Sequence, residues 1–236
     1  MYSVGQPPGE TVCLARALHV LILCSIFYSP SQAGKTRALL EPALQNFSFY
    51  FSFKSPEETG MGSKDVAAMI SIIKSQHESV DTADLSDNVT INNIACTAED
   101  CIERILISRN LILLSLLSIV SPPYTVQHFR LWLEAQLFPE RVFGFDVFEQ
   151  LFCTLYHSSL DMHGILPALM MLCANTRSLL NATYVLDDAN ADVAAFPSTF
   201  PDSTKPGGVV FFGHNLVSRM ATSSLSSPSL LVMLSD

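Results

Sequence analysis

The sequence predicts an α/β fold, one sheet with helices packed on it, and three stretches predict it. Leu111–Val120 (LILLSLLSIV) is apolar except at Ser115 and Ser118 and is closed by Ser121-Pro122-Pro123. A short apolar run between breakers has the form of a strand buried on both faces, and it falls far short of the ~20 apolar residues of a membrane-spanning helix. Asn46–Lys54 alternates strictly, with Phe47, Phe49, Phe51 and Phe53 on one side and Asn46, Ser48, Tyr50, Ser52 and Lys54 on the other. That is the period of a strand with one dry and one wet face. Val66, Met69, Ile70 and Ile73 recur at helical spacing, the stripe of a helix lying on the sheet.

In chain order, Leu18–Tyr28 (LHVLILCSIFY) reads as a first strand and Ser29–Gln45 as a long mixed connection. After the alternating strand, Pro56, Gly60 and Gly62 break the chain. Ser63 caps a helix reaching about Gln76. His77–Asn88 is acidic and polar, a solvated loop. Val89–Ala98 and Cys101–Ser108 read as two weaker strands, and Ser108-Arg109-Asn110 as a tight turn into Leu111–Val120, because Asn tolerates positive φ. Thr125 caps a second helix with Phe129, Trp132, Leu133 and Leu137 on its apolar side, ended by Pro139. Asp146 caps a third, striped by Phe148, Leu151, Phe152 and Leu155 and interrupted at Gly164 and Pro167.

Composition narrows function. The chain of 236 residues is 49% hydrophobic and 15% charged, against ~25% charged in an average soluble domain, so much of it is core or covered surface. A net charge of -9 argues against nucleic acid, whose phosphates need Lys and Arg. The six cysteines form no C-x-x-C pair, and four lie in apolar stretches, as buried thiols do.

Motifs of catalysis are weak. Gly34-Lys35-Thr36 resembles the tail of a P-loop, but Ser29 stands where the first glycine is needed. His128, His157 and His163, with Asp146, Glu149 and Asp161, lie close in sequence without the spacing of a converging metal site, and read as polar helix flanks. No Gly-x-Ser-x-Gly elbow is present. No catalytic residue, metal ligand or cofactor is assigned. The run Ala17–Tyr28, followed by Ser31-Gln32-Ala33, has the form of a signal peptide, and Asn46, Asn88 and Asn181 open glycosylation sequons. Glu10 offsets Arg16, so no positive n-region precedes the run. A first strand is the preferred reading and secretion the alternative.

The order β-β-α-β-β-β-α-α resembles the longin domain of membrane-traffic proteins. The chain is most similar to the first longin domain of the Mon–Ccz, Hermansky–Pudlak and Inturned–Fuzzy group. The block Leu111–Phe145, ending in Val142-Phe143-Gly144-Phe145, carries the resemblance, together with Cys24–Gln32 (CSIFYSPSQ) and Gly208–Arg219 (GVVFFGHNLVSR). The resemblance implies a five-stranded, mostly antiparallel sheet with one helix on one face and two on the other. It implies residues 1–175 as the longin-like domain and 176–236 as a linker and the β-hairpin of a truncated second domain. It further implies a non-enzymatic subunit of a heterodimeric Rab guanine-nucleotide exchange complex, partnered by a second longin-domain protein and a small GTPase of the Rab family. The place implied is cytoplasmic, peripheral on endosomal or lysosomal membranes. A longin adaptor without exchange activity is the neighbouring expectation. Within this frame the partner-binding residues are Lys64, Asp65, Met69 and Lys74, the charged ones forming an outward rim beside the buried stripe.

Overall fold

The computed structural model describes residues 23–28, 35–53, 61–78, 88–158, 182–187, 200–201, 209–210 and 229–234, with isolated helical positions between 168 and 180. The elements are β1 (Leu23–Tyr28), α1 (Lys35–Ala43), β2 (Ser48–Ser52), α2 (Asp65–Glu78), α3 (Asn88–Ile119), α4 (Val126–Leu137), α5 (Pro139–Phe143), α6 (Val147–His157), β3 (Thr183–Asp187), β4 (Phe200–Pro201), β5 (Val209–Val210) and β6 (Ser229–Leu234). Helix outweighs strand among these residues.

The main sheet has the order β1-β6-β3-β2, and every neighbouring pair is parallel. It is not the mostly antiparallel, five-stranded longin sheet that the sequence pattern suggests. Parallel neighbours need crossovers rather than hairpins, and helices α2 to α6 all fall in the connection between β2 and β3. The sheet also spans the expected boundary at 175, because β3 and β6 come from the segment 176–236. Of the expected hairpin at Gly208–Arg219, Val209–Val210 pairs antiparallel with Phe200–Pro201, and the remainder lies outside the described residues.

The largest correction concerns Leu111–Val120. Together with the two weaker strands expected at Val89–Ala98 and Cys101–Ser108, it belongs to one helix of 32 residues, α3. Ser108, Arg109 and Asn110 form no turn; they are fully buried in mid-helix. The physical reason is visible in the chain. No Gly or Pro occurs from Ser63 to Ser121, and leucine is a stronger helix former than the β-branched residues that favour strands. Ala98, Ile102, Ile105, Arg109 and Leu113 are buried and recur every three or four residues, the spacing of one helix face, and from Arg104 to Asn110 the helix is enclosed on all sides.

The alternating strand is where expected, with a difference. Phe47, Phe49, Phe51 and Phe53 are buried and form the centre of the main core with Val66, Met69, Ile73, Trp132, Phe148 and Phe152. The opposite face, expected to be wet, is buried too: Ser48, Tyr50 and Ser52 are closed off, because a parallel sheet is covered on both faces. Tyr50 packs there with Ala43, Leu133, Leu137 and Val185. Helices α2, α3 and α6 pack on the phenylalanine side, so α2 does not lie opposite the last helix. Helix α1 lies on the Tyr50 side, within what reads as connection in the sequence.

Helix α4 runs beside β2, the end strand of the sheet, and its side chains take the place of a further strand. Trp132 Nε1 donates to Ser48 O at 2.8 Å, and Gln136 Nε2 donates to the same carbonyl at 2.7 Å. Gln136 Oε1 accepts from Tyr50 N at 2.9 Å. An open edge is a template for another chain; here Ser48 O and Tyr50 N are already bonded to α4.

Candidate functional site

Two constructions occupy α3, one polar and closed, the other apolar and open. The closed one centres on Arg109, whose side chain has no exposure. Its Nε and Nη2 each donate to the Asp65 carboxylate at 2.7 Å. Its Nη1 donates to Tyr50 O and, at 3.0 Å, to Gln136 Oε1. The guanidinium also stacks 4.3 Å from the Phe51 ring centre and 5.2 Å from that of Phe148. A bidentate, fully buried pair of this kind fixes geometry; it joins α2, α3, α4 and β2. With no path to solvent, it is a structural joint and not a reaction centre.

Beside it, Asp146 joins two helix starts. Its Oδ1 accepts from Phe148 N and Glu149 N, both at 3.1 Å, as the expected N-cap of α6. The same carboxylate accepts from Ser63 Oγ at 3.0 Å and from Lys64 N at 2.8 Å. The start of α2 is thereby pinned to the start of α6.

The open construction is a groove of about 460 Å³ between the last turns of α3 and helices α4, α5 and α6. Leu111, Ile112, Leu116 and Ile119 form its α3 wall, and Ser115 is the one hydroxyl on it. Leu131 and Ala135 come from α4, Val142 and Phe143 from α5, Val147 and Leu151 from α6. Large side chains at the mouth stay exposed: Ile119 83%, Leu131 44% and Phe143 41%. Its size lies within the range of binding clefts, and its walls hold no titratable group, so it can bury apolar surface and cannot move a proton. Helix α5 aims Val142 and Phe143 because Pro139 starts it and Gly144, at φ +82°, ends it.

The residues expected to bind a partner do not converge. Asp65, expected on an outward rim, is the buried partner of Arg109; a carboxylate needs such a partner to be buried at all. Met69 is core. Lys64 is exposed and bonded to Glu140 Oε1 at 2.8 Å, which raises its pKa. Lys74 is exposed farther along α2. Of the histidine set, His128 Nδ1 accepts from Thr125 N at 3.0 Å, closing the start of α4, and His157 is exposed at the end of α6. Asp161 and His163 lie outside the described residues. Among the described residues no three His, Cys, Asp or Glu side chains come together as metal ligands. Burial pushes the Cys101 thiol up to about 12, with Asp100 adding to it and Arg104 opposing, which leaves it a packing group.

Arg109 and Gln136, which organise the interior, are not singled out by sequence motifs. A signal for the groove is present in the sequence: residues 110–129 contain no Asp, Glu, Lys or Arg, in a chain that is otherwise acidic. Among the described residues no helix is long and apolar enough to cross a membrane. No family model, no curated protein and no solved structure matches this chain.

Proposed function

We propose that this chain is a non-enzymatic interaction module that works by burying the apolar groove of α3–α6 against a protein partner. The observation that carries the reading is the exposure of Ile119, Leu131 and Phe143 around an uncharged cleft. Covering such side chains contributes about 25 cal/mol per Å² of apolar surface removed from water, and contiguous apolar surface rimmed by polar residues marks interaction sites. The exchange-complex assignment, with a longin-domain protein and a Rab GTPase on endosomal or lysosomal membranes, is a narrower form of this proposal. What supports it is the sequence resemblance at Leu111–Phe145, Cys24–Gln32 and Gly208–Arg219.

The test places a photo-crosslinking residue at Leu131 or Ile119, with Arg37 on α1 as control. Adducts with one defined protein are expected at the groove positions, and the purified partner should bind at least about tenfold more weakly to Ile119→Lys, since a lysine there puts a charge into an apolar contact. A lipid or other small apolar molecule recovered stoichiometrically with the chain, and lost from Ile119→Lys, overturns the reading in favour of a ligand site. Pull-downs with longin proteins and a Rab panel decide the narrower form.

A further inference from the structure

The four strands of the main sheet are parallel, so their C-terminal ends, Tyr28, Leu234, Asp187 and Ser52, share one edge. Ser52 stands level with Asp187, and only β6 separates β3 from β1, which puts the ends of β1 and β3 about 10 Å apart. Helix α1 starts at this same edge. Its last residue, Ala43, accepts from Ser48 Oγ at 3.2 Å, and Ser48 is the first residue of β2. From first residue to last, α1 and β2 each span about 12–13 Å. The helix packs across β3 and β6 on the Tyr50 side, so its first turn comes level with Asp187 and Ser52. Outside the C-terminal ends of parallel strands is where sheets of this kind take their ligands.

The residues at this edge suit one ligand chemistry. Helix α1 opens with Lys35 and Thr36, and Gly34 precedes them in the sequence. This is the second half of the phosphate-binding motif, in the strand-then-helix setting that the motif requires. Ser29 in place of its first glycine lowers affinity, while the second half brings the free N–H groups of a helix start, an ammonium and a hydroxyl. At the end of β3, Asp187 is buried and accepts from the Tyr50 hydroxyl. Ser52 lies beside it on the face that α1 covers, because side chains two apart along a strand share a face and Tyr50 packs there with Leu40 and Ala43. Ser52 Oγ is buried without a hydrogen-bond partner, which costs stability. A phosphate chain is repelled by a neighbouring carboxylate unless a cation stands between them. Mg²⁺ is held in this way, by one or two carboxylates together with phosphate oxygens and its own waters, and such a water also bonds a hydroxyl placed like that of Ser52.

We propose that the start of α1 and the end of β3 together bind the phosphates of a nucleoside triphosphate with Mg²⁺. Lys35 and the first N–H groups of α1 meet the phosphates, and Thr36 and Asp187 hold the cation. The proposal is of binding, with no bond broken, and it is independent of the groove. Its signature is a requirement for the cation, since without Mg²⁺ the ligand meets Asp187 and a chain of net charge -9 unshielded.

Calorimetric titration and thermal melts of the full chain test it, with ATP, GTP, tripolyphosphate and inorganic phosphate, each with Mg²⁺ and with EDTA. ATP or GTP with Mg²⁺ should bind and raise the melting temperature, as any ligand of the folded state does, and EDTA should abolish both effects. Lys35→Ala should weaken binding by about tenfold or more, while Lys74→Ala, the same loss of charge on α2, and Ile119→Lys, in the groove, should leave it unchanged. Asp187→Asn should remove most of the gain from Mg²⁺, and Thr36→Ala reads the same dependence if loss of the buried carboxylate prevents folding. No binding of either nucleotide up to about 5 mM overturns the proposal, since any dissociation constant tighter than that would be seen. So does binding that survives Lys35→Ala or that needs no Mg²⁺. Tripolyphosphate bound as tightly as both nucleotides also overturns it, in favour of a site for bare phosphates. None of these results bears on crosslinking at Leu131, which tests the groove.

Discussion

The two halves of α3 differ in the direction opposite to their composition. From Ala98 to Asn110 the helix carries Glu99, Asp100, Glu103, Arg104 and Arg109, yet most of its residues are buried. From Leu111 to Ile119 it carries no charge at all, yet Leu113 is its one buried residue. The upstream charges are accommodated because each buried one has a partner in reach. Arg104 bonds Asp100 at 2.8 Å and the Leu155 carbonyl, and Arg109 bonds Asp65, Tyr50 and Gln136. Apolar content therefore marks what can be buried, while the helical stripe and the available partners decide what is buried. The surplus of apolar residues downstream is the groove.

The largest expected effect breaks the upstream half. Arg109→Met removes one member of a fully buried pair and leaves Asp65 uncompensated, along with the Tyr50 carbonyl; a loss of about 3–5 kcal/mol in unfolding free energy is expected. Denaturant titration with an unchanged slope measures it. Adding Asp65→Leu to Arg109→Met should cost less than the two single changes together, because the second change removes the stranded charge. A cost for Arg109→Met smaller than that of an exposed substitution on α3 would end the comparison.

Within the downstream half, burial should separate neighbours of like chemistry. Leu113→Ala opens a cavity in the main core and should cost about 2–5 kcal/mol. Ile119→Ala, at 83% exposure, should stay within about 0.5 kcal/mol. Equal losses at both would mean that the groove face is already covered within the single chain. Asp146→Ala comes next in size. Losing a cap of α6 costs about 0.5–2 kcal/mol, and the release of Ser63 and Lys64 from the same carboxylate places it at the upper end. Asp146→Asn, which keeps an acceptor, should recover part of that loss in the same thermal melt.

How much of this was legible follows from which physical signals are local. The Phe47–Phe53 alternation, the Val66–Ile73 stripe and the caps at Thr125 and Asp146 depend on near neighbours, and they appear in the structure where the residues place them. The strand direction does not, since nothing within Asn46–Lys54 says whether its neighbour runs parallel. The wet face assigned to Ser48, Tyr50 and Ser52 failed for that reason, as helices cover both sides of a parallel sheet. Leu111–Val120 failed on a different ground. Proline ends strands and helices alike, so the stop at Pro122 could not separate them, whereas the unbroken absence of Gly and Pro back to Ser63 favoured helix and outweighs it. The rim assigned to Asp65 failed because its partner, Arg109, stands 44 positions away. The groove is a product of four helices, and the charge-free stretch 110–129 gives the sequence's share of it.

The smallest expected effect concerns Glu149, on the polar flank of the same helix whose Val147 and Leu151 line the groove. Its pKa is raised above the ordinary carboxylate value, first by burial and then by the nearby Asp146, with Asp65 and Glu140 adding and Lys64 opposing. A raised acid pKa means that the folded protein holds this proton to higher pH than the unfolded chain does. In the window between the two values the folded state binds more protons, so stability falls as pH rises through it and the ionised group is a small cost at neutral pH. Glu149→Gln should therefore melt slightly higher than the parent at pH 7. The gap should close as pH is lowered below the ordinary carboxylate range, where both proteins carry a neutral side chain. Beside burial, the charges that act on it are Asp146, Lys64, Asp65 and Glu140, and none of them lines the uncharged cleft, so Ile119→Lys should leave this pH profile of the monomer unchanged. A Glu149→Gln protein that melts lower than the parent at pH 7 would show that the Lys64 attraction outweighs burial, and would place the balance of charge at this joint on the other side.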